Sequence, residues 1–122
     1  MALVYRVEHP SDGVGPYSYR WWGVTDLYQE LCQHRHNNGR PGPTNDILGW
    51  NDWSCTGYRF GFLLLSDLRM WFDNCLRELR KYKFVVAVYE ADDDNIMLGT
   101  MQVAFEYDSA RRIGVISWEE VF

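Results

Sequence analysis

A guanidinium and a carboxylate stand two residues apart in the first apolar segment, Leu3-Val4-Tyr5-Arg6-Val7-Glu8-His9-Pro10. An arginine side chain is a permanent planar cation whose fork matches phosphate, ribose or carboxylate oxygens. Residues two apart on a strand share a face, so Arg6 and Glu8 can also pair with each other. Two uses follow for Arg6. It lines a ligand cleft together with the loop at 10–18, or it forms with Glu8 a solvent-facing pair on an edge strand.

The other reactive side chains give weaker patterns. His34 and His36 are two apart near a helix end and point to different faces, which suits chelation poorly. Cys32 and His36 share a helical face, but two ligands do not make a metal site, so no metal is expected. Cys32 and Cys75 fall on apolar helical faces, where buried thiols are inert. Cys55, beside Ser54 and Thr56, is the one cysteine placed for reactivity. Gly13-Val14-Gly15 lacks the spacing of a dinucleotide turn and leads into no helix. Asp92-Asp93-Asp94-Asn95 lacks the glycine and terminal glutamate of a calcium loop, and reads as a charged turn.

These residues need elements to hold them. Residues 2–8 alternate as a strand, and 10–18 is a loop whose Gly13 and Gly15 can take positive φ. Residues 24–36 carry Val24, Leu27, Tyr28, Leu31 and Cys32 at helical spacing, with Thr25 or Asp26 as cap. Residues 37–57, with Pro41, Pro43 and four glycines, form a long irregular segment of the kind that is usually functional or mobile. Tyr58 to Leu65 reads as a strand entering a helix. Ser66 and Asp67 then cap one amphipathic helix on which Leu68, Trp71, Phe72, Cys75, Leu76 and Leu79 share a stripe. Three strands follow, at 83–91, 96–107 and 113–122, separated by turns at 92–95 and 108–112. The order predicts a single α+β domain over 1–122, with a mostly antiparallel sheet, two main helices and a C-terminal β-meander.

The totals exclude several classes. A chain of 122 residues with 47% hydrophobic and 24% charged residues holds one core and is not disordered. A net charge of -5 disfavours binding a nucleic-acid backbone, which needs a basic stripe. The longest apolar run, Phe60 to Leu65, is far too short to cross a membrane. No basic-then-apolar leader opens the chain, so no signal peptide is expected. Three cysteines, widely spaced, suit a reducing cytoplasm.

Strand-borne "VYR", a glycine-containing loop, the unit "YRFGF" leading to Ser66, and the closing "MQVAFEYDSARRIGVISWEEVF" together resemble the ADP-ribosyltransferase superfamily. The skeleton "GPY…RPGP…FGF…L..WF…VAVYE…QVAF" also resembles small proteins of phages and other mobile elements, which implies the cytoplasm of a bacterial host. The first resemblance implies an NAD or nucleotide site. Arg6 holds the nicotinamide ribose side, Tyr58 or Ser66 supports it, Gly15 and Tyr17 line the cleft, and Gln102 occupies the third catalytic position. A carboxylate is expected there, and an amide supplies no negative charge to a developing cation. Glu106, four residues on, lies about 13 Å away at about 3.3 Å per residue.

Two functions are therefore expected. One is an enzyme or degenerate enzyme of the ADP-ribosyltransferase type that binds NAD or a related nucleotide through Arg6, Gly15, Tyr17, Tyr58 and Gln102. The other is a noncatalytic binder of a host or defence-complex protein, acting as anti-CRISPR proteins do. Its candidate surface is Trp50 and Trp53 with the acidic Glu90, Asp92 and Asp93, since aromatic anchors with charged rims are common interface anatomy.

Overall fold

The computed structural model describes residues 1–18, 26–27, 29–31, 46–47, 49–51 and 54–121. Its elements run β1 (Ala2–Glu8), β2 (Tyr58–Gly61), α1 (Leu65–Trp71), α2 (Leu76–Lys81), β3 (Val85–Ala91), a 3₁₀ turn (Asp93–Asn95), β4 (Ile96–Leu98), β5 (Val103–Glu106), β6 (Arg111–Ile116) and α3 (Trp118–Val121). The domain is α+β, with two antiparallel three-stranded sheets ordered β1-β3-β6 and β2-β5-β4. The C-terminal strands divide between them: β3 pairs with β6, and β4 with β5.

A backbone bridge links the two sheets. Tyr5 and Phe62 exchange both backbone hydrogen bonds at 2.8 Å. Gly61 permits this approach, because a Cβ there would lie 2.5 Å from Val4 Cγ1 and 2.9 Å from the Tyr5 carbonyl oxygen. Alternation along β1 then feeds two cores. Val7 joins Leu27, Phe62, Leu68, Trp71, Leu79, Phe84 and Trp118 on the helix side. Val4 joins Ala87, Tyr89, Val103 and Phe105 on the other.

Three expected elements are shorter than the apolar pattern suggests. The single helix expected from Ser66 is two, broken at 72–75. Within the break, Asn74 donates its side-chain amide to the Glu30 carbonyl at 3.2 Å, a tertiary bond that ties this stretch to residues 29–31. Ser66 is not the cap; α1 begins at Leu65 after an extended Leu64, with no side-chain cap bond. The expected strand over 96–107 is a hairpin. The Asp46 carboxylate accepts from the Thr100 and Gln102 backbone amides and gathers residues 99–102 into a turn. The final expected strand stops at Ile116 and becomes α3, where Trp118 Nε1 donates to the Phe84 carbonyl at 2.9 Å.

The end of α2 follows a Schellman pattern without glycine. Lys83 takes φ +69°, its amide reaches the Arg80 carbonyl, and the Phe84 amide reaches that of Leu79. Phe84 and Leu79, both buried, supply the accompanying apolar contact.

Asp26, Leu27, Gln29, Glu30 and Leu31 are helical. Asp26 ties them to α2 by accepting from Lys81 Nζ at 2.8 Å and from the Tyr82 hydroxyl at 2.5 Å. Hydrogen bonds from Lys81 and then Tyr82 hold its carboxyl down at about 2. A depressed carboxyl stabilises the fold fully above its ordinary value of 3.8, and that contribution is lost as pH falls through about 2. Asp26→Asn is therefore expected to flatten the acid limb of stability in this window, measured by denaturant unfolding at stepped pH. The carboxyl is solvent-exposed, so the change is small and fades with added salt.

Candidate functional site

β1 carries Arg6 and Glu8 inward, contrary to the solvent-facing pair the sequence allowed. Arg6 is 7% exposed and Glu8 2%. Arg6 Nη1 donates to the Phe60 carbonyl at 2.9 Å, and Nη2 to the Gly13 carbonyl at 3.2 Å. Its Nε lies 3.3 Å from Glu8 Oε1, without the alignment of a hydrogen bond. Burial pushes the Arg6 pKa down, and the neighbouring Glu8 charge opposes that shift. A buried ion pair of this kind is held by its additional hydrogen bonds as much as by Coulomb attraction.

Glu8 is the centre of the group. Its Oε1 accepts from the Tyr89 hydroxyl at 2.6 Å, and its Oε2 from Arg112 Nε at 3.3 Å. The Tyr89 and Tyr107 hydroxyls lie 3.0 Å apart. Burial, and then the bond to Glu8, pushes the Tyr89 phenol well above its ordinary value, so it acts as a neutral donor. Arg59 stands 5.2 Å from the centre of the Tyr107 ring, within cation–π range. The loop after β1 closes over these groups. Gly13 takes φ +74°, and a Cβ there would come 2.6 Å from the Tyr107 hydroxyl.

The sequence-predicted residues are distributed as follows. Gly15 lies against Arg6, with Nη2 3.1 Å from where a Cβ would stand. Tyr17 is 48% exposed, accepts from Trp71 Nε1 at 2.7 Å, and packs on Phe72, beside the helix-side core. Tyr58 opens β2 opposite Glu106. Gln102 is buried just before β5, its backbone amide held by Asp46, and it is not among the hydrogen-bond or ion-pair partners of Arg6. Trp50 is half-buried, its ring 4.9 Å from that of Phe60. Glu90 pairs with Arg111 at 3.4 Å, while Asp92 and Asp93 are exposed. Trp53, Cys32, His34 and His36 lie outside the described residues. Cys55 is buried, with its thiol 3.7 Å from the Met97 sulfur.

Tyr89, Tyr107, Arg112, Arg59 and Asp46 are the residues that pattern reading missed. Tyr89 and Tyr107 carried a signal, as inward positions of alternating strands. Asp46 carried none, since its role is to cap a turn more than fifty residues away.

Fold and cluster together define a two-sheet α+β domain whose polar centre is an internal ion pair bonded to its own backbone. The chain belongs to the Bacteriophage T4 Y00F protein family, whose model matches residues 1–119. No curated protein and no solved structure matches it. The family match supports the resemblance to phage proteins and adds nothing to that with ADP-ribosyltransferases. Among the described residues no helix is long and apolar enough to cross a membrane.

Proposed function

We propose that this phage protein is a noncatalytic binder of a protein in the infected bacterial cytoplasm, a host or defence component whose action it blocks. The observation that carries the reading is the engagement of Arg6. Both terminal nitrogens of the arginine matched to the nicotinamide ribose position donate to carbonyls of their own chain, and the residue is 7% exposed, which turns the guanidinium inward, away from a cofactor. Gln102 supplies no carboxylate at the third position. The open edge of β6 offers the docking surface. Among the described residues no strand pairs beyond it, and Ile113 and Val115 are 45% and 52% exposed there. Unpaired edges with exposed apolar side chains recruit other chains. The exposed Asp92–Asp94 turn follows β3, whose Glu90 pairs with Arg111 of this edge.

Two measurements test the reading. Incubation with NAD is expected to release no nicotinamide; catalysed release that disappears in Arg6→Lys contradicts it. Tagged protein is expected to capture a specific partner from bacterial lysate, and Ile113→Lys with Val115→Lys to lower that affinity at least about tenfold. Both side chains are exposed, so the double variant keeps its fold. Unchanged capture by it shows that β6 is not the surface.

A further inference from the structure

We propose that Arg59 and Arg112, at the two ends of the hydrogen-bonded group Glu8–Tyr89–Tyr107, form a phosphoryl-binding site. The site does not rest on the partner-binding reading, although Arg112 lies on β6.

Register places the groups. Residues directly opposite on paired strands share a face. Arg112 lies opposite Tyr89, which lies opposite Val4, the residue two before Arg6. Arg59 lies opposite Phe105, two before Tyr107. Ring contacts of Tyr89 with Phe105 at 5.2 Å and with Tyr107 at 5.5 Å bring these two faces together. Arg6 and Arg112 meet Glu8, and Arg59 rests on the ring of Tyr107, whose hydroxyl lies 3.0 Å from that of Tyr89, a donor to Glu8.

The three arginines are used differently. Arg6 is sealed inside. Arg112 contacts Glu8 through Nε only, and its side chain is 41% exposed. Arg59 is exposed and rests on the Tyr107 ring. Among the described residues no carboxylate pairs with Arg59, and none meets the terminal nitrogens of Arg112. Two sets of donors thus remain open at the ends of one hydrogen-bonded group. A carboxylate is satisfied by a single fork. A phosphoryl group offers three oxygens and about two negative charges, which suits two guanidinium groups.

The test is an NMR titration of the full chain with inorganic phosphate and, separately, with AMP, following the arginine Nε–H and Tyr107 signals. Saturable shifts at Arg59, Arg112 and Tyr107 are expected with both ligands. Arg59→Ala and Arg112→Ala are each expected to weaken binding about tenfold or more, and Arg111→Ala to leave it unchanged. Tighter binding of AMP than of phosphate identifies a nucleotide as the source of the group, and equal binding identifies free phosphate. Arg59→Ala removes an exposed side chain and leaves every partner of Glu8 in place, so it keeps the test decisive if the Arg112 variant unfolds. Absence of saturable shifts at millimolar phosphate and AMP overturns the proposal. Equal weakening by Arg111→Ala overturns it too.

Discussion

Replacing Arg6 with alanine is expected to lower the free energy of unfolding by about 3–5 kcal/mol, the usual cost of removing one partner from a buried charge pair. Glu8, 2% exposed, would keep Tyr89 and the half-exposed Arg112 but lose its buried counter-ion. The Phe60 and Gly13 carbonyls would also lose their donor. Urea unfolding reads the change as a shift of midpoint at unchanged slope. The double variant Arg6→Met, Glu8→Leu separates the pair from its parts. It removes both charges and fills the space, so it is expected to recover most of the loss. A loss below about 1 kcal/mol in Arg6→Ala would mean that the guanidinium is hydrated in solution.

Phe105→Ala is expected to cost about 3–5 kcal/mol, as large-to-small changes at fully buried aromatic positions do. Phe105 is 0% exposed, and its ring lies 5.2 Å from that of Tyr89 and 6.2 Å from that of Tyr107. It is the floor on which both hydroxyls are set. Its removal should therefore loosen the Tyr89–Glu8 bond as well as open a cavity. Thermal unfolding measures the cost of the cavity, and the line widths of the Tyr89 and Tyr107 ring signals measure the loosened bond. Phe105→Leu, which keeps most of the volume, should cost about 1 kcal/mol. If both variants unfold at the wild-type temperature, the second core does not hold the cluster together.

The sequence displayed its strands more clearly than their partners. The alternation of Val4, Arg6 and Glu8 against Tyr5 and Val7 correctly put the two charges on one face. Whether that face met water depended on Tyr89, Phe105 and Tyr107, far along the chain, and alternation carries no information about register. The same limit applies to "IMLGTMQVAFEY". Its apolar content reads as one strand, and only the distant Asp46 carboxylate, with Gly99 permitting close approach, makes it a hairpin. The helix stripe from Leu68 to Leu79 was legible as a buried face. Its break, where the Asn74 amide finds its partner at Glu30, was not. The short motifs behind the nucleotide-site expectation named residue types but not their bonds. Arg6 and Gly15 do lie together, yet Gly15 lies against a buried arginine whose two terminal nitrogens already donate to backbone carbonyls.

The most direct test of the account is hydrogen exchange at the Arg6 guanidinium, read by NMR beside that of Arg111, whose side chain is 74% exposed. A guanidinium bonded to two carbonyls and closed under the 9–15 loop should exchange its protons far more slowly than Arg111, and adding NAD should not change the rate. Exchange as fast as that of Arg111 would place Arg6 in open solvent. The internal ion pair, and the noncatalytic reading built on it, would then be contradicted.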